Sequence, residues 1–177
     1  MDILFSDALK LKRPNAFNVM MKPAGASCNL NCTYCYYLEK SNLYPGLNQM
    51  RMSDELLEKF TKQYIEANEV PVVNFTWQGG EPTLMGLDFF QKAIAFQKQY
   101  AGDKKIENAF QTNGTKLNDE WCKFFKDNNI LVGISIDGEE HNHDHYRKTF
   151  SGGPTFKRVM KGIEETLFQK NQTPESP

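Results

Sequence analysis

Two rhythms of apolar positions alternate along the chain. Short runs rich in β-branched and aromatic residues are each followed by stretches in which apolar residues recur every three or four positions. The short runs predict strands over Phe17 to Met21, Val70 to Trp77, Ile106 to Gln111 and Ile130 to Ile136. The last, ILVGISI, is almost continuously apolar, as a strand covered on both faces should be. The longer stretches carry helix start signals. Ser53 can cap a helix with Leu56, Leu57, Phe60 and Tyr64 apolar, and Asp54 and Glu55 suit its positive first turn. Asp88 can cap a second helix, with Gln91 at the capping-box position and Phe89, Phe90, Ala93, Ile94 and Phe96 apolar. Asn118 can cap a third, with Trp121, Phe124 and Phe125 on one face. A fourth follows Gly152-Gly153-Pro154 and aligns Phe156, Val159, Met160, Ile163 and Leu167. Thr173 to Pro177 reads as loop.

A strand-helix repeat taken four times predicts a parallel α/β fold. Such folds carry their sites on the loops at the C-terminal ends of the strands. The polar and glycine-rich segments fall there: Pro23 to Cys35, Gln78 to Thr83, Gln111 to Thr115 and Ser135 to Gly138. Their agreement on one rim weighs more than any single motif.

Composition narrows the class. The 177 residues allow one sizeable core and are too few for two ordinary enzyme domains. With 21 Lys plus Arg against 22 Asp plus Glu, the net charge is -1, so no basic field exists to hold nucleic acid or an anionic membrane. No apolar run approaches the roughly 20 residues of a membrane span. Met1 to Asp7 lacks the basic region and cleavage pattern of a secretory signal, so the expected compartment is the cytoplasm.

Cysteine placement carries the first specific chemistry. Cys28, Cys32 and Cys35 share one short segment, and Cys122 lies far away. A disulfide scaffold would spread its cysteines, so the cluster points to metal or redox chemistry. A structural zinc wants a fourth ligand, which would have to come from the distant His141, His143 or His145. An iron-sulfur cluster is the other reading, with one iron left without a protein ligand. The three histidines read as a solvated loop, and Cys122 beside Trp121 as a small buried hydrophobe.

The pattern Cys28-x-x-x-Cys32-x-Tyr34-Cys35 closely resembles the signature of radical S-adenosylmethionine (SAM) enzymes, and Gly79-Gly80-Glu81-Pro82 resembles their second signature. The segments KPAGASCNLNCTYCYYLEK, TWQGGEPTL, QTNGT, LVGISIDG and His141 to Arg147 are similar to the anaerobic sulfatase-maturating enzymes, a group that carries a C-terminal SPASM domain. The likeness runs over about residues 14 to 170. It implies an N-terminal extension at 1–16, a partial TIM-type (βα) radical SAM barrel at 17–170 with about four of six strand-helix units, and a loop-like tail at 171–177. The SPASM domain and the family's carboxylate base find no counterpart in these residues. The resemblance therefore implies the N-terminal portion of a longer enzyme, and this portion alone is not expected to complete the reaction.

In that family a [4Fe-4S] cluster binds SAM through its unligated iron. An electron, delivered by a donor such as ferredoxin or flavodoxin, cleaves SAM to methionine and a 5′-deoxyadenosyl radical. The radical takes a hydrogen atom from the β-carbon of a Cys or Ser in a sulfatase polypeptide, and oxidation gives formylglycine. By resemblance, Cys28, Cys32 and Cys35 would hold the cluster and Tyr34 would pack near the adenine. Gly79 and Gly80 would let the backbone approach the methionyl amine, which a side chain would block. Glu81 would complement that amine, and Ser135 and Arg147 would hold the carboxylate. Thr112 and Asn113 would lie near the ribose, and Tyr37 and Gln78 would line the peptide pocket. Two alternatives stand beside this reading: another SPASM-type peptide-modifying enzyme, and a non-catalytic module binding an iron-sulfur cluster or zinc.

Overall fold

The computed structural model describes residues 16–40, 43 and 50–171. The extension expected at 1–16 lies outside the described residues apart from Ala16, and the tail expected at 171–177 apart from Asn171. Along the chain run β1 (Val19–Met21), α1 (Tyr36–Lys40), α2 (Asp54–Ala67), β2 (Val72–Trp77), a 3-10 helix (Pro82–Met85) and α3 (Leu87–Tyr100). Then come β3 (Lys105–Thr112), α4 (Asp119–Asp127), β4 (Leu131–Ile134), α5 (Glu140–Tyr146) and α6 (Phe156–Asn171). The strands form one sheet in the order β1-β2-β3-β4, and each neighbouring pair is parallel. Met21 lies opposite Trp77, Trp77 opposite Phe110 and Thr112 opposite Ile134, so the C-terminal strand ends gather on one rim.

Burial alternates along the strands, with Val73, Phe75 and Trp77 buried on β2 and Val72 and Asn74 exposed. One sheet face is therefore the packed one. Its core joins Phe75, Trp77 and Phe110 to Leu57 and Ile65 of α2, Phe89 and Phe90 of α3, and Trp121 and Phe125 of α4. Phe90 sits at the centre, its ring 4.9 Å from Phe110, 5.3 Å from Trp77 and 5.7 Å from Trp121, each edge-on. Asn108 interrupts this apolar face at little cost, because its amide is paired. Its Oδ1 accepts from Trp77 Nε1 and Gln97 Nε2, and its Nδ2 donates to Gln97 Oε1. The reciprocal pair locks α3 in register against β2 and β3.

Two of the expected caps form. Ser53 accepts from the Leu56 N–H and Asn118 from the Trp121 N–H, at 3.1 and 3.0 Å. The third does not: α3 begins after Gly86, at φ 85° and ψ 160°, and Asp88 sits inside its first turn. The cause is the 3-10 helix before it, which needs a glycine to turn into α3. The spacing assigns Leu56 and Leu167 to apolar helix faces, but both lie exposed. Strand β4 is not covered on both faces among the described residues, and Leu131 is 73% exposed, because the described helices pack on one face of the sheet, as the outward Val72 and Asn74 of β2 also show. The histidine segment is not a solvated loop either. It folds as α5, with His141 and His145 outward and His143 completely buried. Among the described residues no helix is long and apolar enough to cross a membrane.

Candidate functional site

The cysteine loop leaves β1 and is tied down on several sides. Within it, Gly25 N–H donates to the Lys22 carbonyl and Ser27 N–H to the Ala24 carbonyl. From outside, the N–H of Met52 reaches the Pro23 carbonyl and that of Glu81 the Ser27 carbonyl, both at 2.8 Å. Further along, Asn31 and Thr33 donate to the carbonyls of Lys148 and Tyr146 at the end of α5. Buried Leu30 anchors the loop between the first two cysteines. All three cysteines are free thiols; Cys32 is buried, Cys28 and Cys35 half-buried. Burial, with the Glu81 and Cys32 charges, pushes the Cys28 thiol up to about 11, against the pull of the Leu30 N–H and the Asn113 amide. Burial raises Cys32 as well, and Arg147 opposes it. Thiols in such surroundings ionise when a cation compensates them, as a metal centre does.

The donor set fits a cluster better than a single ion. Among the described residues no three His, Cys, Asp or Glu side chains converge on one ion. Three thiols along one loop suit a multi-iron centre in which each sulfur takes a different iron and one iron keeps no protein ligand. Nor does the buried histidine supply a fourth zinc ligand. His143 Nδ1 accepts from the Asp137 N–H at 3.3 Å, and its Nε2 faces Thr155 Oγ1 at 3.0 Å. Thr155 in turn donates to the Arg147 carbonyl at 2.7 Å, so Nε2 carries the proton and both ring nitrogens are engaged.

Glycines and Glu81 build the wall that faces this loop from β2. Gly79 and Gly80 have φ of 107° and 54°. A Cβ at Gly80 would lie 2.2 Å from the Ser27 carbonyl oxygen, so glycine is required here by the cysteine loop itself. The atoms nearest to a Cβ at Gly79 belong to the Lys22 side chain, the first at 2.6 Å. Glu81 is completely buried. Its Oε1 accepts from Thr83 N–H, Thr83 Oγ1 and Thr112 Oγ1, and its Oε2 from the Asn113 N–H, all within 2.7 to 3.0 Å. Burial pushes this carboxyl up, and the four donors work against that shift. Glu81 is thus a brace between the loops after β2 and β3.

Opposite, the loop after β4 carries a charged cluster. Tyr34 Oη donates to Asp137 Oδ2 at 2.6 Å, Arg147 Nε lies 3.0 Å from Asp137 Oδ1, and the guanidinium stands 5.5 Å from the Tyr34 ring centre. Partial burial raises the Asp137 carboxyl, but Tyr34 and Arg147 together hold it below the usual range. Ser135 N–H donates to the Thr112 carbonyl, and its hydroxyl accepts from Gln111 Nε2 at 3.0 Å. Gln78 N–H donates to the Met21 carbonyl, and Tyr37 Oη receives a 2.6 Å hydrogen bond from Lys22. The cysteines, Tyr34, Gly79, Gly80, Glu81, Ser135, Arg147, Tyr37 and Gln78 all lie on or beside one rim.

Residues 23–167 match the family model described as Radical SAM superfamily. The chain belongs to the radical SAM superfamily. Over 145 residues it is 57% identical to the serine-type anaerobic sulfatase-maturating enzyme of Bacteroides thetaiotaomicron, covering 82% of this chain and 35% of that one. Over 150 residues it is 40% identical to the cysteine-type enzyme of Clostridium novyi, covering 84% and 40%. The solved structure of native anSMEcpe with bound AdoMet and Cp18Cys peptide aligns with a TM-score of 0.78 at 38% identity, covering 86% of this chain and 40% of that one. The chain spans about 35–40% of the length of these relatives, in their N-terminal part. The parallel four-stranded sheet with its helices matches part of the radical SAM TIM-type fold, so the expected fold class holds.

Several members of this radical SAM rim escaped the sequence reading. In the sequence Asp137 is only part of the polar segment Ser135 to Gly138, and His143 reads as a solvated side chain. Thr115 carries no signal in the sequence. Asn29 Nδ2 donates to Thr115 Oγ1 at 2.9 Å, and Asn113 Nδ2 to Asn29 Oδ1 at 2.8 Å. A signal did exist for Asn29, which sits inside the cysteine motif next to Cys28.

Proposed function

We propose that the chain is the radical-generating part of an anaerobic sulfatase-maturating enzyme. The observation that carries this reading is the convergence of three free cysteines, the Gly79-Gly80-Glu81 turn and the Ser135–Asp137–Arg147 segment on one rim of a parallel sheet. Cys28, Cys32 and Cys35 would hold a [4Fe-4S] cluster. Held there and reduced by a donor such as ferredoxin or flavodoxin, the cluster would supply the electron for cleavage of S-adenosylmethionine.

The chain's own residues bind and orient. Arg147, kept in place at Nε by Asp137, would turn its outer nitrogens toward the SAM carboxylate beside Ser135. Tyr34, steadied through its hydroxyl by Asp137, would offer its ring near the adenine. Backbone groups of Gly79 and Gly80 would approach the methionyl amine. Glu81 would favour that amine through its charge while bracing the turn that presents it. Tyr37 and Gln78 would line the entry of a sulfatase peptide whose Cys or Ser becomes formylglycine. The base and the auxiliary clusters of the family would belong to sequence beyond these residues.

The test is anaerobic reconstitution with iron and sulfide, followed by electron paramagnetic resonance of the reduced protein with and without SAM. A four-iron signal that changes on SAM addition is expected. Cys122→Ala should load normally, since Cys122 is buried beside Thr166 in the helical layer. Loss of loading in Cys122→Ala but not in Cys32→Ala would overturn the assignment.

A further inference from the structure

Cys28 differs from the other two cysteines in receiving a side-chain donor from another strand's loop. Asn113 Nδ2 lies 3.7 Å from Cys28 Sγ, and the Leu30 N–H lies 3.4 Å from the same sulfur. An asparagine amide can be turned either way round, so which end faces the sulfur has to be decided from its partners. Here the partners decide it. Asn113 Oδ1 accepts from the Thr115 N–H at 3.0 Å and from Thr115 Oγ1 at 2.7 Å. Thr115 Oγ1 spends its one proton there, and so accepts from Asn29 Nδ2 at 2.9 Å. That orients Asn29, whose Oδ1 accepts from Asn113 Nδ2 at 2.8 Å. The three side chains close a ring in which each donor meets an acceptor. One N–H of Asn113 is used inside the ring, and the other points at Cys28. The backbone is fixed too, since the Asn113 N–H donates to buried Glu81 Oε2 at 2.7 Å.

We propose that the Asn113 side-chain amide, oriented by Thr115 and Asn29, donates to the Cys28 ligand sulfur and thereby raises the reduction potential of the cluster. This rests on the cluster assignment above. The physics is that one-electron reduction adds negative charge which spreads onto the ligand sulfurs. A donor fixed on one of them stabilises the reduced form more than the oxidised one. The step is simple in its balance: a low-potential reductant gives one electron to the oxidised cluster, and the Asn113 proton stays on its nitrogen. Asn113 acts through Cys28 and is a positioning residue, not a catalytic one. The ring also explains why an asparagine follows Cys28 directly: Asn29 reaches β3's loop from inside the cysteine motif and couples the two.

The experiment is a potentiometric titration of the anaerobically reconstituted full chain, followed by electron paramagnetic resonance, with iron and sulfide per chain measured in parallel. Asn113→Leu, which removes the donor at similar volume, is expected to load the cluster and to shift its midpoint to more negative potential. Asn113→Asp keeps the acceptor for Thr115 but places a charge toward Cys28, and a larger shift of the same sign is expected. Asn113→Ala removes the donor without adding bulk, and a shift of the same sign is expected. A loaded Asn113→Leu or Asn113→Ala protein with an unchanged midpoint overturns the proposal. If Asn113→Leu fails to load, Asn113→Ala decides alone. Failure of the underlying assignment looks different: the wild-type chain would then hold no four-iron cluster, or would hold one equally well with Cys28, Cys32 and Cys35 replaced by Ala.

Discussion

At the scale of single residues, the site is specified by close approach and by hydrogen bonding of a buried carboxyl. Gly80 shows the first. Alanine tolerates φ near +54° at modest cost, but its Cβ would stand 2.2 Å from the Ser27 carbonyl, a backbone atom that cannot swing away. Gly80→Ala is therefore expected to lower both the melting temperature and the iron bound per chain. At Gly79 the atoms in the way belong to the exposed, flexible Lys22 side chain, so Gly79→Ala should keep more iron despite its φ of 107°. Equal iron in the two variants would show that the Ser27 contact does not govern the cysteine loop. The glycine pair was legible in the sequence, but the reason for Gly80 was not, because its partner lies on another loop. Glu81 shows the hydrogen bonding of a buried carboxyl. Its oxygens satisfy four donors, and a glutamine would turn an N–H₂ group toward some of them. A buried donor left without an acceptor costs about 1–3 kcal/mol, so Glu81→Gln should lose about that much in urea denaturation. An unchanged urea midpoint would mean that the loops after β2 and β3 are held together by other contacts.

At the scale of elements, signals confined to a few neighbouring residues were read correctly and those set by distant partners were not. Ser53 and Asn118 cap α2 and α4 as their spacing predicts, because a cap needs only its own first turn. The start of α3 at Gly86 depends on the 3-10 helix before it, and the capping-box pattern at Asp88 competed and lost. The three alternating histidines look equivalent in sequence. Only packing against Asp137 and Thr155 singles out His143 for burial. The apolar run of β4 suggested two covered faces, yet Leu131 is exposed at the sheet edge. The seat of α6 is another long-range feature. Gly162 lies inside that helix, where alanine normally gains about 0.5–1 kcal/mol. A Cβ there would come within 2.5 Å of the Gly114 carbonyl and 3.2 Å of Leu117 Cβ. Overpacking of this kind costs about 1–3 kcal/mol, which outweighs the helix gain. Gly162→Ala is expected to be net destabilising by chemical denaturation. A stabilised variant would show that α6 can slide away from the loop after β3 at no cost.

At the scale of the whole molecule, two responses follow from how the rim is joined to the core. The first is to acid. Burial and the Arg147 charge hold His143 below its ordinary value of 6.5, while Asp137 and Asp144 oppose this. In the unfolded chain the ring takes a proton as pH falls through about 6.5, whereas the folded ring resists. The unfolded state then binds more protons, so this contribution is complete above about 6.5 and declines as pH falls toward the lowered folded value. Asp137, held below its ordinary 3.8, adds its own loss only at lower pH. Urea midpoints measured across mildly acidic pH should fall in the wild type and fall less steeply in His143→Gln; parallel slopes would exclude His143 as the source. The second response is to loss of metal. A module stabilised by zinc folds only with its ion, because the ligands replace a core it does not have. Here the core runs through Phe75, Trp77, Phe90, Phe110 and Trp121 and does not draw on Cys28, Cys32 or Cys35. The cysteine loop itself is secured by backbone hydrogen bonds from Met52, Glu81, Asn31 and Thr33. Chelation of iron should therefore leave the far-ultraviolet circular dichroism and a cooperative thermal transition in place. Loss should be confined to the rim, seen as faster hydrogen exchange at the amides of Leu30 to Cys35. Unfolding of the entire chain on chelation would mean that the metal centre, and not the aromatic core, organises the sheet, and the zinc-dependent module would become the better account.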